Sequence, residues 1–267
     1  MLKDITLGQY FPGESQIHKL DPRYKIIITF LFVAAVFSVR NYAGYVFAFV
    51  YIAIASVLSG VSVKYLAGNL KPLYFIIVLT FIINSFFTRG ETVIFTLWGL
   101  VFTREGLDQG IFMILRIVFL VLGTSLLTLT TSPISLTDGM EHLLRPLKRL
   151  GFPAHEISMM TTIALRFIPT LIEETDKIMK AQMARGADFE SGNIFVRAKA
   201  LVPLLVPLFI SAFRRADELA MAMESRCYRG GDQRTRMNSL KAHKRDVIAI
   251  LITILMMVLV FAVGRYF

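Results

Sequence analysis

The sequence predicts an all-α membrane protein with about five transmembrane helices and a cytoplasmic domain of long amphipathic helices. Three observations predict it. Of the 267 residues, 55% are hydrophobic and only 18% charged, with a mean hydropathy of +0.61, outside the range of an ordinary soluble domain. Five apolar runs are long enough to be spans, and in a bilayer each must satisfy its own backbone hydrogen bonds, which makes helix the natural reading. Residues 132–245 are too charged to be embedded throughout and too long for an ordinary loop. The expected division is therefore 1–131, an N-terminal segment with four spans; 132–245, a cytoplasmic helical domain; and 246–267, the last span.

The first run, "IIITFLFVAAVFSV", lies between Lys25 and Arg40. It is short for a hydrocarbon core of about 30 Å, so both flanking side chains are expected to snorkel. The second is "YAGYVFAFVYIAIASVLSGVSV". The third, "PLYFIIVLTFIINSFF", follows Lys71 and opens on Pro72. Asn84 and Ser85 within it suit helix–helix contacts. The fourth, "IFMILRIVFLVLGTSLLTL", holds Arg116, an intramembrane charge close enough to the start of the run to snorkel outward. The last is "VIAILITILMMVLVFAVG". Between the third and fourth, "ETVIFTLWGLVFTREG" alternates weakly around Trp98-Gly99 and reads as an external hairpin on the membrane surface, with Trp98 as an interfacial anchor.

Charge sets the orientation. Lys3, Lys19, Arg23 and Lys25 precede the first run, Lys64 and Lys71 follow the second, and Lys241, Lys244 and Arg245 abut the last. Opposite them lie only Arg40, Arg89, Arg104 and Arg265. This places a multi-pass protein in the cell membrane with a cytoplasmic N-terminus and an external C-terminus. Much of the net charge of +10 is then topological. No basic stripe interleaved with aromatics supports nucleic-acid binding. Cys227 is the one cysteine, which excludes an internal disulfide, and the polar first 25 residues do not read as a signal peptide.

Within 132–245, "SLTDGMEHLLRPLKRLG" opens on an N-cap candidate, Ser135, and closes at Gly151 as a short amphipathic helix. A second helix runs from about His155 to Arg185, its apolar residues at helical spacing, and a third from about Ile194 to Arg226. Pro169, Pro203 and Pro207 are expected to kink or interrupt them. Residues 155–172 and 200–213 are apolar enough to enter the membrane. If both crossed, however, Arg185 and Arg226 would lie on opposite faces, so both helices are placed along or just under the inner surface.

These two helices end alike. "EETDKIMKAQMARG" lies over "RRADELAMAMESRC" in one register for more than three turns, so Ala184-Arg185-Gly186 meets Ser225-Arg226-Cys227. A cation in a last helical turn followed by glycine is common, favoured by the dipole and by capping. Neither requires the small flanking residues or a shared upstream pattern. Small neighbours leave each guanidinium clear to enter a groove on a partner and bind a carboxylate or backbone carbonyls there. Glu173, Glu174 and Asp176 also lie opposite Arg214 and Arg215 in this alignment, so the helices are expected to pair charges where they cross.

The paired small-Arg-small motifs, together with "GQYFPGESQIHKLDPRYK" at the N-terminus, resemble the transmembrane T component of energy-coupling factor transporters over essentially the whole chain. The first motif matches fully as Ala184-Arg185-Gly186, and the second departs as Ser225-Arg226-Cys227, small for small, with the arginine kept. The resemblance implies a membrane coupling subunit that is not itself an enzyme. It would join two ABC-type ATPases to a separate S component that captures a vitamin or similar micronutrient. Each arginine tip would sit in a groove of one ATPase. ATP and Mg would be held by those partners, leaving this chain without a cofactor.

No P-loop, Gly-x-Ser-x-Gly or His-Glu-x-x-His motif is present, and His18, His142, His155 and His243 lack metal spacing. A self-sufficient secondary transporter is the alternative. It would show inverted repeats and midplane ionisable residues, whereas here the repeat lies in the cytoplasmic segment. Asp21-Pro22-Arg23 has two readings of equal standing: a capped helix start, or a brace for the cytoplasmic helices.

Overall fold

The computed structural model describes residues 10–88, 92–97, 100–187, 189, 193–230 and 240–266. Packing divides them into two units, one over 10–140 and 240–266, the other over 141–230.

The first unit is a bundle of apolar helices. Asp21 caps α1 (Pro22–Ser38), its carboxylate accepting from the Arg23 N–H at 2.9 Å while Pro22 presets the first turn. The helix is apolar all round, and Phe32, Ala35 and Val36 are buried at its centre. α2 (Tyr42–Ser59) buries a stripe of Tyr45, Ala48, Ile52, Ser56 and Ser59 and exposes Phe49, Ile54 and Val57 on the other side. It stops at Gly60, whose φ of +68° is the left-handed turn glycine takes without a Cβ clash.

The third span begins earlier than the sequence suggests. α3 (Val63–Gly68), a 3-10 turn at Lys71–Leu73 and α4 (Tyr74–Phe87) follow in series, so the helical segment runs from Lys64 to Phe87, and Pro72 sits in the 3-10 turn. β1 (Val93–Leu97) pairs antiparallel with β2 (Leu100–Thr103), forming the expected hairpin; Trp98 and Gly99 lie outside the described residues. α5 (Arg104–Thr130) starts on Thr103, whose Oγ1 accepts from the Gly106 N–H at 3.1 Å. α9 (Lys244–Tyr266) completes the unit.

Phe32, Val36, Tyr45, Ala48, Phe119, Met256 and Val260 form one core where α1, α2, α5 and α9 meet. Tyr51 Oη and Thr253 Oγ1, 2.8 Å apart, add an interhelical hydrogen bond, the polar glue of bundles in lipid. α4 packs on α5 through Gly106 and Gly110: a Cβ at Gly106 would lie 2.9 Å from the Asn84 and Ser85 carbonyl oxygens. The G-x-x-x-G step brings two backbones together as such steps do between membrane helices. Ser85 is buried at this contact, while Asn84 Nδ2 donates to the Thr80 carbonyl of its own helix.

Among the described residues, four segments are long and apolar enough to cross a membrane: Tyr42–Ser59, Lys64–Phe87, Arg104–Thr130 and Lys244–Arg265. α1 has 17 residues, about 25 Å at 1.5 Å each, and is the short one of the five expected. Arg116 has a partner within the bundle, at the C-terminal end of α1. Its Nη2 donates to the Val39 carbonyl at 3.2 Å and its guanidinium lies over the Phe112 and Phe37 rings. Val39 is the C-cap of α1, so the cation satisfies a carbonyl the helix itself leaves open.

α6 (Pro133–Leu144) begins two residues before the expected cap. Ser132, not Ser135, accepts, taking the Ser135 N–H on its Oγ at 3.2 Å, and Pro133 is the first helical residue. A 3-10 turn at Arg145–Leu150 then ends at Gly151, φ +82°. In the second unit, α7 (Ala154–Ala184) and α8 (Ile194–Ser225) match the two expected long helices, and neither is interrupted by proline. The carbonyl of Pro203, which Pro207 leaves without its helical N–H donor, accepts instead from Gln182 Nε2 of α7 at 3.4 Å.

Candidate functional site

Among the described residues, three side-chain contacts show how α7 runs relative to α8. Gln182 meets the Pro203 carbonyl, Arg215 Nη2 donates to Glu174 Oε2 at 2.7 Å, and Tyr228 Oη lies 3.4 Å from His155 Nε2. As numbers fall along α7 they rise along the other chain segment, so the pair is antiparallel. Its two C-terminal tips therefore point to opposite ends. The Glu174–Arg215 pair is the crossing charge contact the aligned sequences predict; Asp176 instead takes Lys180 of its own helix at 2.6 Å.

The matched sequences end in matched turns. In α7 the N–H groups of Arg185, Gly186 and Ala187 donate to the carbonyls of Gln182, Met183 and Gln182. In α8 those of Arg226, Cys227 and Tyr228 donate to Met223, Glu224 and Met223. Bond for bond this is one Schellman turn used twice, with the residue after each arginine in the left-handed region: Gly186 at φ +88° and Cys227 at +57°. The turn explains the small residue in third place. Cys227 is the non-glycine residue at positive φ among those described. Ala184, Arg185, Gly186, Ser225, Arg226 and Cys227 are all exposed, and a Cβ at Gly186 would meet nothing within 4 Å. Each arginine is thus exposed on a helix-ending turn.

Asp21, Pro22 and Arg23 sit elsewhere, in the bundle. Asp21 is the N-cap of α1, so the capped-start reading holds in its geometry, and the same residues also clasp the start of α9. The Asp21 N–H donates to Asp246 Oδ1 at 2.9 Å, and Arg23 Nη2 donates to Asp21 Oδ2 at 2.7 Å and to the Leu240 carbonyl at 3.1 Å. Pro22 lies against Gly139 of α6, where a Cβ would come within 3.0 Å. Beside them, just before the apolar run, Lys25 is buried and donates to the His18 and Thr130 carbonyls and Thr131 Oγ1.

Sequence reasoning took Lys25 for a snorkelling flank, and it missed Gln182 and the contact of Tyr228 with His155. For Tyr228 a signal existed: it is the residue that completes the second turn, and its counterpart is an alanine.

Such a chain, an all-helical multi-pass membrane protein whose paired long helices end in exposed arginines, is of the kind built into transport complexes. The comparisons specify which. The family model described as cobalt transport protein, CbiQ, matches residues 13–237, a stretch that includes both tips. The energy-coupling factor transporter transmembrane protein EcfT of Thermosediminibacter oceani is 61% identical over 252 residues, 94% of this chain and 95% of its own. The EcfT proteins of Clostridium kluyveri and Bacillus subtilis are 57% and 49% identical, covering 93% and 98% of this chain. The chain belongs to this family, the transmembrane proteins of energy-coupling factor transporters within CbiQ. It is accordingly a non-enzymatic membrane coupling subunit of an importer of that type.

Proposed function

We propose that this chain joins two ABC-type ATPases to a substrate-capturing S component and so couples ATP hydrolysis to uptake of a vitamin or similar micronutrient. Arg185 and Arg226 are the two ATPase contacts, one tip to each ATPase, flanked by Ala184, Gly186, Ser225 and Cys227. ATP and Mg belong to the partners. The observation that carries this reading is the repeated turn: one geometry, used at both ends of an antiparallel pair, suits two similar grooves on two similar subunits. At about 1.5 Å per residue each helix spans roughly 45 Å, a length that carries displacement from groove to groove.

The capture subunit has a surface to meet. Val202, Val206, Phe209, Ile210 and Phe213 of α8 are exposed, an apolar face that water does not favour. The chain lies in the cell membrane with its N-terminus cytoplasmic, divided as 1–131, 132–245 and 246–267. α1 counts as the fifth crossing, because it packs along α5 and α9, two helices long enough to cross. Asp21, Pro22 and Arg23 brace this arrangement at its inner end.

Co-purification tests the reading. The wild-type chain is expected to hold one copy of each ATPase, and Arg185→Glu with Arg226→Glu to release them while the chain still inserts. ATPases retained by that double variant would reject the assignment of the arginines.

A further inference from the structure

The two tips share one turn but not one support. Ala187 closes the first turn and offers only a methyl group. Among the described residues, the last turn of α7 makes its side-chain hydrogen bond to α8 through Gln182, a half-buried amide on the Pro203 carbonyl. Tyr228 closes the second turn with its N–H and also reaches back to α7. Its hydroxyl lies 3.4 Å from His155 Nε2, while His155 Nδ1 lies 3.1 Å from Glu141 Oε1 of α6.

The chemistry of that chain fixes its direction. A carboxylate only accepts, so Nδ1 carries the ring proton and donates to Glu141. Nε2 and the Tyr228 hydroxyl then share one hydrogen bond, in which a neutral ring accepts from the O–H. The ring is held from one side and receives the tyrosine on the other. A tyrosine has few rotatable bonds, so the side chain that reaches His155 also limits where its own backbone sits. That backbone is the turn that carries Arg226.

We propose that His155 is a positioning residue for the Arg226 tip. Tyr228 hangs the tip on the first turn of α7, and Glu141 passes the load to α6, so the two arginines are mechanically distinct. Force on Arg226 reaches α6 through two side chains, whereas among the described residues the Arg185 tip is tied to α8 through the Gln182 amide. This rests on the coupling function proposed above for its consequence, though not for the latch itself.

Cys227 provides the probe. It is the sole cysteine, is exposed, and precedes Tyr228, so a nitroxide attaches there with no other substitution. In the full chain in lipid nanodiscs, Tyr228→Phe is expected to raise the mobile fraction at Cys227 about fivefold, the scale of one lost hydrogen bond. His155→Ala is expected to do the same, and the double variant to do no more. His155→Gln, whose amide oxygen replaces the Nε2 acceptor, is expected to restore much of the order. A label moved to Ala187 in a Cys227→Ser background is expected to ignore all three changes. Unchanged mobility in Tyr228→Phe overturns the latch, as do additive effects or an equal change at residue 187. Tyr228→Phe removes a single oxygen, so it answers even if His155→Ala fails to fold.

In proteoliposomes holding the assembled transporter, Tyr228→Phe is expected to lower uptake per ATP hydrolysed while the ATPases stay bound; an unaltered ratio overturns the positioning role. Arg226→Glu is run beside it. If that change leaves both ATPase binding and the ratio intact, the coupling function fails while the label still decides the latch.

Discussion

Gly186 and Cys227 occupy the same left-handed position of the same helix-ending turn, at φ +88° and +57°, forty-one residues apart. Only the first is a glycine. A Cβ in that region costs about 1–2 kcal/mol, so the second tip carries a strain the first does not. Cys227→Gly is therefore expected to relieve it. The Cys227 and Tyr228 amides, which close the turn, should exchange with solvent about fivefold more slowly in the variant, and Gly186→Ala should speed the matching amides of α7. Faster exchange in Cys227→Gly would refute the strain.

Glu174 and Arg215 should couple measurably but modestly. The pair is short at 2.7 Å, with side chains 21% and 35% exposed, so water screens it in part. A double-mutant cycle on thermal stability should return about 1 kcal/mol or less, and exchanging the charges as Glu174→Arg with Arg215→Glu should recover most of it.

Pro207 should weaken α8 and yet serve α7. Pro207→Ala returns an N–H to the Pro203 carbonyl and removes an interior proline, a defect worth about 3 kcal/mol in an ordinary helix. Amides around residue 207 should become better protected. Gln182 then competes for an occupied acceptor, and the amides of Arg185 to Ala187 should exchange faster. Protection rising at both places would show that Gln182 contributes nothing to the first tip.

The α4–α5 seam should fail at Gly106. Gly106→Val drives a branched side chain into the backbone carbonyls of Asn84 and Ser85, which belong to a helix and cannot step aside. A loss of about 1–3 kcal/mol is expected. Gly264→Ala, where an added Cβ meets nothing within 4 Å, should leave the thermal midpoint near that of wild type.

What the sequence made legible follows local rules. The periodicity of α7 and α8, the apolar runs and the paired tips depend on residues within a few turns of one another. The Glu174–Arg215 contact was readable because the repeat itself aligned the two segments. What stayed hidden depends on partners distant in sequence. Nothing local in the sequence pairs Arg116 with the open carbonyl of Val39, seventy-seven residues away. Lys25 looked like an interfacial flank, but Thr130 and Thr131 supply oxygens that hold it inside. The prolines looked like breaks, because nothing local says that Gln182 takes the orphaned carbonyl. Ser132 lost to Ser135 as the expected cap because Pro133 was not weighed as a first helical residue.

The most direct test of the central claim is nutrient uptake per ATP hydrolysed in proteoliposomes of the assembled transporter carrying Arg185→Glu and Arg226→Glu. The account predicts that uptake collapses while the chain inserts and folds as wild type, the ATPases being lost or left hydrolysing without transport. Wild-type uptake at a wild-type ratio would contradict it.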